Sequence, residues 1–155
     1  MELRVARSED AERIVDVINS AFRPAEGYII GRDRIDLESV QAFFFKGEFL
    51  LAEDDGAVAG CVYLEIRGAR AYLGLLSVDP TRQKAGVGSM LLREAEHRCA
   101  MAGCRFMDLK TINLREDNQA FYKRRGYIES GTEPFPSDVI TKLPCYFVKM
   151  SKPLT

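Results

Sequence analysis

The stretch Leu73–Leu92, LGLLSVDPTRQKAGVGSMLL, decides the fold of this chain. It predicts an apolar strand up to Val78, a short basic turn that contains Gly86 and Gly88, and then an amphipathic helix. Glycine lets the backbone approach a ligand closely, and the first N–H groups of a helix have no partner within it. Together with the helix dipole, these groups form a cradle for an anion, and the pattern favours a pyrophosphate.

The composition indicates an ordinary globular protein. Of its 155 residues, 46% are apolar and 29% are charged, and 22 Lys and Arg stand against 23 Asp and Glu. The formal net charge of −1 gives no field that would favour nucleic acid or an anionic membrane as a partner. No apolar run is long enough to cross a bilayer, and Met1–Arg7 lacks the apolar core of a signal peptide.

The cysteine and histidine content predicts no metal site. The four cysteines are scattered without a CxxC motif, and His97 is the only histidine. Because a zinc site needs clustered Cys and His ligands, none is expected. Reduced, mostly buried thiols are typical of a cytosolic protein, and we therefore expect a cytoplasmic location.

The predicted elements follow the order β-α-α-β-β-β-α-β-α-β-β, an α/β fold built on a mixed sheet with helices on both faces. Ser8 is a favourable N-cap for the first helix, which is expected to end where Phe22–Tyr28 becomes a loop. An antiparallel meander comprises Phe49–Ala52, Val58–Ile66 and Ala71–Val78. After the helix Gly86–Met101, the strand Arg105–Thr111 should return parallel to the last strand of the meander.

The glycine segment Gly86–Gly88 has two further interpretations. With Ser89–Leu91 it is a GxGxxG dinucleotide motif without its last glycine, and Asp108 lies where a ribose-binding acid is expected. Against this interpretation, Asp79–Ala85 separates the glycines from the strand, and antiparallel strands precede them. A Walker loop is excluded because no Gly-Lys-Ser/Thr follows at the required spacing. The second alternative is that the glycines only allow close packing of strand and helix.

Two motifs resemble the GNAT-type N-acetyltransferases. Gln83–Gly88, QKAGVG, is similar to the family's Gln/Arg-x-x-Gly-x-Gly/Ala segment and follows a strand that ends in Leu-Ser-Val-Asp-Pro. Asn118–Tyr127, NQAFYKRRGY, resembles its Phe-Tyr-x-x-x-Gly-Phe/Tyr segment. The order of elements also matches that fold, so the resemblance covers nearly the whole chain. It implies one GNAT domain over residues 1–155, with about seven strands and about four helices on both faces of the sheet.

The resemblance implies acetyl-CoA as cosubstrate, without a metal. The backbone of the strand that ends at Val78 would pair with the pantetheine arm, and the N–H groups of the glycine turn would hold the pyrophosphate. Asn118 would reach the pantetheine or the adenine. The residues so assigned are Leu76, Ser77, Val78, Gln83, Lys84, Ala85, Gly86, Val87, Gly88, Ser89 and Asn118. The basic side chains of Arg82 and Lys84 either assist there or are merely solvated.

The same resemblance assigns Tyr122 as the acid that protonates the leaving CoA sulfur; the alternative is a core aromatic of a short helix. The general base stays open. The family's position for it corresponds to Tyr72, which is no base at neutral pH, and the alternatives are Glu65, Glu26 or a water chain. Arg115 stands where many relatives have Asn.

The implied function is an acetyl-CoA-dependent N-acetyltransferase that acts on the amine of a small molecule or peptide by direct attack in a ternary complex. No cysteine lies in either motif, which argues against an acyl-enzyme. The amine would enter between Phe22–Asp36 and Gly131–Leu143, whose aromatic and acidic residues suit a cationic amine. The alternative is a non-catalytic acyl-CoA-binding module that senses or recruits. The family resemblance alone favours a homodimer, and neither nucleic acid nor a membrane is expected as a partner.

Overall fold

A computed structural model describes residues 1–154, apart from the side chain of Lys84. The strands are β1 (Glu2–Val5), β2 (Glu48–Asp54), β3 (Ala57–Arg67), β4 (Arg70–Val78), β5 (Phe106–Ile112), β6 (Ile128–Pro134) and β7 (Tyr146–Pro153). The helices are α1 (Ala11–Glu26), α2 (Leu37–Phe43), α3 (Val87–Met101) and α4 (Glu116–Lys123), and 3₁₀ turns cover Ser8–Asp10 and Pro80–Ala85. Within this described part of the chain, no helix is long and apolar enough to span a membrane.

The seven strands form one mixed sheet in the order β1-β2-β3-β4-β5-β7-β6. Neighbouring strands are antiparallel except β4 and β5, which are parallel because α3 connects them as a crossover. The predicted mixed sheet, the antiparallel meander and the parallel return are therefore confirmed.

The sheet supplies two hydrophobic cores, because successive side chains of a strand point to opposite faces. In β2, Leu50 packs in the core with α3, while its neighbours Phe49 and Leu51 pack in the core with α1. Gly60 on β3 lets α3 lie close to the sheet. A Cβ there would lie 2.7 Å from the Ser77 carbonyl oxygen and 3.1 Å from side chains of α3.

The 3₁₀ turn Ser8–Asp10 corrects the predicted start of α1. Ser8 does not cap this helix, because the chain makes an extra turn and Asp10 takes the N-cap position. The buried Asp10 carboxylate accepts the Arg7 backbone N–H at 2.8 Å and pairs with Arg4 at 2.8 Å. These partners, Arg4 foremost, hold the pKa of Asp10 well below its usual range. The local sequence pattern does not reveal that Asp10 pairs with Arg4 of β1.

The end of α1 also differs from the prediction. The expected loop from Phe22 is wrong, since the helix continues through Pro24 to Glu26. A proline in the last turn removes one backbone donor, and the buried face with Ile18 and Ala21 holds the helix in place up to that point. Glu26 is consequently fixed at a helix end instead of lying in a loop.

A bulge in β4 shapes the middle of the sheet. Leu75 and Leu76 both lie opposite Val62 of β3, and Leu75 has a φ of 56°, which is uncommon for a residue other than glycine. The Leu75 carbonyl oxygen accepts the hydroxyl of the buried Ser77 at 3.0 Å. Ser77 thus uses its side chain to hold the bulge, and only its backbone remains to face a ligand.

Strands β4 and β5 pair at one end only. Their register pairs join Arg70–Tyr72 to Phe106–Asp108, and the Arg70 guanidinium donates to both Asp108 oxygens at 2.7 Å. Beyond this end the two strands separate, and Gly74–Leu76 and Leu109–Ile112 line a cleft between them. The bulge therefore opens onto the cleft.

Candidate active site

A groove runs along the start of α3. Gly86 precedes the helix with a φ of 76°, a left-handed conformation that favours glycine. The first helical hydrogen bond runs from the Met90 N–H to the Gly86 carbonyl oxygen at 3.1 Å. The N–H groups of Val87, Gly88 and Ser89 therefore have no partner inside the helix, and with the helix dipole they favour an anion.

The groove brings together most of the residues that were predicted to bind the cofactor. Those lining it are Leu76, Ser77, Val78, Gln83, Gly86, Gly88, Ser89 and Asn118. Val87 differs, because its side chain is fully buried in the core with α3 and only its backbone can face a ligand. Ala85 is exposed at the end of the 3₁₀ turn, outside this lining, and the side chain of Lys84 lies outside the described residues.

Two arginines that the sequence analysis did not single out, Arg124 and Arg125, also line the groove. The Arg125 guanidinium lies 3.8 Å from the centroid of the Phe121 ring and donates to the Ser89 hydroxyl at 2.6 Å. The sequence shows a basic run directly after Tyr122. Whether these side chains face the groove depends on where α4 ends, and the sequence does not fix that point. These cations add positive charge to the groove.

A cavity of about 280 Å³, here called the cleft cavity, lies between β4 and β5. It shares Phe22, Leu76 and Asn118 with the groove, so the two are continuous. Its lining includes Tyr122 from α4 and Glu26 from α1. The fold thus brings the predicted acid and one of the candidate bases to one cavity from distant parts of the sequence.

Tyr122 has a fixed ring and a protonated hydroxyl. The residue is 5% exposed, and its ring makes edge contacts with Phe121 and Tyr127 at centroid distances of 5.2 and 5.6 Å. Burial raises the pKa of the Tyr122 phenol, with a smaller opposing effect from the positive charge of Arg115. The phenol therefore keeps its proton at neutral pH, which is the state that a proton donor requires.

Glu26 is a buried carboxylate, 5% exposed, that pairs with the Arg115 guanidinium at 2.6 Å. Burial raises the pKa of the Glu26 carboxyl, while the positive charge of Arg115 offsets part of that rise. Arg115 is shared, because it also pairs with Asp117 at 3.0 Å. A carboxylate with a raised pKa inside a cavity is a candidate general base.

Glu65, the other candidate base, lies on β3 away from this lining. Its carboxylate accepts the Tyr63 hydroxyl at 2.7 Å and pairs with Arg67, and these two contacts lower its pKa. Tyr72, at the family's base position, lines the cleft cavity, and the Arg67 guanidinium lies 4.5 Å from its ring centroid. Of the two glutamates, Glu26 is the one that lines the cavity.

Thr111 on β5 is a site residue that the sequence analysis missed. It lines the cleft cavity and is 3% exposed, and its hydroxyl has no hydrogen-bond partner among the described residues. Leaving a buried hydroxyl unpaired costs about 1–3 kcal/mol. The sequence alone does not indicate that Thr111 lines a cavity, because the cavity arises from the separation of β4 and β5.

Comparison with known proteins decides the family. The family model of the acetyltransferase (GNAT) family matches residues 11–127, which hold both motifs and the whole of the groove lining. The chain belongs to the GNAT acetyltransferase family.

A curated relative is longer than this chain. The mycothiol acetyltransferase of Clavibacter sepedonicus is 30% identical over 129 residues, which cover 81% of this chain and 42% of that protein. The chain thus spans less than half the length of this curated relative.

Solved structures confirm the predicted fold. The ribosomal-protein-S18-alanine N-acetyltransferase of Escherichia coli matches with a TM-score of 0.79 at 14% identity, covering 99% of this chain and 94% of that one. A GNAT-family acetyltransferase of Staphylococcus aureus Mu50 also matches with a TM-score of 0.79, at 21% identity and 99% coverage of both chains. At such identities the likeness concerns the fold alone.

The residues that line the groove suit acetyl-CoA, the cosubstrate of the GNAT family. The groove walls combine the strand segment Leu76–Val78, the unpaired N–H groups of the α3 start and the cationic side chains of α4. A Cβ at Gly88 would lie 3.6 Å from Val78 and 3.7 Å from Phe121, so any side chain there would occupy space that faces the ligand. Among the described residues, no cluster of His, Cys, Asp and Glu is suited to hold a metal ion.

Proposed function

We propose that this chain is an acetyl-CoA-dependent N-acetyltransferase that acts on a small-molecule or peptide amine by direct attack in a ternary complex. One observation carries the proposal: the cleft cavity joins a buried phenol and a buried carboxylate, Tyr122 and Glu26, and is continuous with the anion-binding groove. Membership of the GNAT family supports the same chemistry. A cytoplasmic location and a homodimer stay predictions.

In this proposal the groove holds acetyl-CoA, which supplies the acetyl group as a thioester. The backbone of Leu76–Val78 binds the pantetheine arm, and the N–H groups at the start of α3 bind the pyrophosphate with help from Arg124 and Arg125. Asn118 lies where groove and cavity meet and positions the part of the ligand that enters the cleft.

Tyr122 is the proposed acid. When the amine nitrogen bonds to the acetyl carbon, the carbon–sulfur bond breaks and the sulfur takes up a proton. The Tyr122 hydroxyl holds such a proton because burial raises its pKa. Its packing against Phe121 and Tyr127 fixes the direction in which that proton is presented.

Glu26 is the proposed base that takes the proton of the attacking amine. Its raised pKa suits this role, while Glu65 has a lowered pKa and its carboxylate is engaged with Tyr63 and Arg67. The Arg115 guanidinium fixes the Glu26 carboxylate at one oxygen. A water chain that starts at Glu26 would carry the amine proton away in the same manner.

Direct attack, without an acyl-enzyme, is supported by the burial of three of the four cysteines. Cys61 lies near the bulge, and its thiol approaches the Leu75 carbonyl oxygen at 3.9 Å. Complete burial raises the pKa of this thiol, so it lacks the thiolate character of a nucleophile. Cys99 and Cys104 are buried in the core with α3.

The test is turnover. The purified protein is incubated with acetyl-CoA and a panel of amines, and release of free CoA thiol is followed together with the acetylated product by mass spectrometry. We expect amine-dependent thiol release well above the hydrolysis rate. Tight CoA binding without release for any amine would overturn the proposal in favour of an acyl-CoA-binding module.

A further inference from the structure

Two more cavities adjoin the cleft cavity on the side away from α3. One lies against the connection between α1 and α2, and the other lies over β3 to β7. Arg34 lines all three cavities and therefore stands where they meet. An acceptor amine that reaches the cleft from this side passes Arg34.

The acidic side chains along this approach are already engaged. Asp33, Asp108 and Glu133 each pair with a cation of the protein, at distances of 2.7 to 2.9 Å. Asp36 caps α2 by accepting the Ser39 N–H at 2.8 Å. The three ion-paired acids are neutralised by cations of the protein, in contrast to the expectation of a cationic amine that the loop composition suggested.

The free charge on this side is positive. Arg34 and Lys149 line these cavities, and neither has a carboxylate within 4.0 Å among the described residues. The Arg34 guanidinium lies 5.5 Å from the centroid of the Phe22 ring, which leaves its planar set of donors available. Guanidinium donors match the two oxygens of a carboxylate, so Arg34 is suited to bind one.

The unpaired cation Arg34 and the buried acid Glu26 line the same cavity here. The charge of Arg34 acts on Glu26, whose carboxylate faces the same cleft cavity. A molecule that carries an amine and a carboxylate on the same carbon matches this order of charges. Its amine would meet Glu26 and its carboxylate would meet Arg34.

One part of the cleft cavity wall is apolar and aromatic. Phe135 and Phe147 stack with a centroid distance of 4.2 Å, and Phe22, Ile30 and Val139 line the same cavity. A wall of this kind buries an apolar side chain, which contributes about 25 cal/mol per Å² of area removed from water.

Building on the N-acetyltransferase function proposed above, we propose that the acceptor is a small aminocarboxylate with an apolar side chain, whose carboxylate is bound by Arg34. The apolar side chain packs on the aromatic wall, and the amine lies between Glu26 and Tyr122. Arg34 is then the residue that sets acceptor specificity.

The experiment compares matched acceptors. L-leucine, L-methionine and L-phenylalanine are each paired with the corresponding amide, which lacks only the negative charge, and spermidine serves as a cationic amine. We expect kcat/KM for each acid to exceed that of its amide by roughly tenfold or more. The α-amine of the amide is the weaker base, and its larger neutral fraction works against this result.

A matched pair of variants assigns the effect to Arg34. Arg34→Gln should lower kcat/KM for the acids by roughly 10- to 100-fold and leave the amides within about twofold. Arg34→Lys, which keeps the charge and loses the planar donors, should give an intermediate loss. Arg93→Gln removes the same charge from the exposed face of α3 and should change neither acceptor class.

The outcomes separate this inference from the proposed function. Equal or faster turnover of the amides or of spermidine overturns the aminocarboxylate inference and leaves the N-acetyltransferase function standing. An equal loss for acids and amides in Arg34→Gln, or the same loss in Arg93→Gln, overturns the role of Arg34. Binding of CoA without turnover of any amine overturns the proposed function and this inference with it.

Discussion

Two neighbouring phenols in the aromatic core, Tyr122 and Tyr127, have different hydrogen-bonding environments. Their ring centroids lie 5.6 Å apart, and both residues are buried. The Tyr127 hydroxyl donates to the Glu96 carboxylate at 2.8 Å and is satisfied within the protein, whereas Tyr122 lines the cleft cavity. The position of the hydroxyl, and not the degree of burial, therefore distinguishes the proposed acid from a packing residue.

Tyr122→Phe should lower kcat by roughly 10²-fold, because it removes the proton held for the leaving sulfur. Stability and CoA affinity should change little, since the ring contacts remain. Tyr127→Phe is the matched control: it should lose about 1 kcal/mol of unfolding free energy with kcat unchanged. Both are checked by steady-state kinetics, with chemistry limiting turnover, and by urea unfolding. A Tyr122→Phe enzyme with full kcat would make Tyr122 a core aromatic only.

Glu26→Gln tests the base through pH. If the Glu26 carboxylate accepts the amine proton, protonating it at low pH abolishes activity, so kcat/KM rises with pH through its pKa. Because burial raises that pKa, the rise should lie above the range of an exposed carboxyl. In Glu26→Gln, this rise of kcat/KM with pH should disappear. The rate at neutral pH should fall by roughly 10²-fold.

Glu65→Gln provides the matched control for this profile, because the amide oxygen can still accept the Tyr63 hydroxyl. We expect its pH profile to follow the wild type. A wild-type pH profile in Glu26→Gln would show that bulk water, and not Glu26, takes the amine proton. A changed pH profile in Glu65→Gln would show that Glu65 on β3 is the general base.

The site residues differ in how far sequence predicts them. Gly86, Gly88 and Asn118 lie in local motifs whose neighbours fix their surroundings, and the structure places all of them in one groove. Arg34 and Thr111 carry no local signal. Their significance depends on which charges find partners elsewhere and on the separation of two strands, and both are properties of the tertiary structure.

At the scale of elements, the cradle depends on how α3 begins. The left-handed Gly86 turns the chain from the 3₁₀ turn into the helix, and Gly88 lies in the first turn that faces the groove. A Cβ at Gly86 would meet nothing within 4 Å, so a substitution there acts through its φ of 76°. A substitution at Gly88 instead acts through the space that its side chain takes.

Gly88→Val should weaken CoA binding by roughly tenfold or more, while the unfolding free energy stays within about 1 kcal/mol of wild type. A Cβ there would make only ordinary contacts with Val78 and Phe121, and because Gly88 lines the groove, the valine side chain would take up space in it. Calorimetric titration with CoA and thermal unfolding measure the two effects. Wild-type CoA affinity in this variant would place the pyrophosphate elsewhere.

A second pair of variants separates strain from occupation of the groove. Gly86→Val and Gly103→Val both place a side chain at a positive φ in otherwise open space. Both should therefore lose roughly 1–2 kcal/mol of stability. Only Gly86→Val should also weaken CoA binding, because Gly103 lies beyond the other end of α3.

Element order follows from sequence more readily than element ends. Hydrophobic periodicity gives the order of strands and helices, and the structure reproduces it. The predicted end of α1 is too early because Pro24 disfavours a helix locally, while the buried face of α1 holds the helix up to Glu26. That error has a functional consequence, since it is the continued helix that holds Glu26 at the cleft.

For the whole molecule, the sheet consists of two parts joined at one end. Strands β1–β4 and β5–β7 are connected by the short β4–β5 ladder, which pairs three residues of each strand. On the open side, the ion pair between Glu26 of α1 and Arg115 next to α4 connects the two parts again. A ligand in the cleft therefore contacts both parts, and its binding should be visible in the backbone of each.

CoA binding should slow amide hydrogen exchange where the groove meets both parts of the sheet. We expect roughly tenfold or greater protection in Leu76–Val78, in Val87–Ser89 and in α4, because bound phosphate and pantetheine groups accept these N–H groups or cover them. The edge strand β1 borders no part of the groove and exchanges by local opening, so its rate should stay the same. Gly88→Val should need a roughly tenfold or greater CoA concentration to reach the same protection. Absent protection under saturating CoA would place the ligand outside the groove. Equal protection of β1 would show general stabilisation of the fold in place of a ligand that spans the cleft.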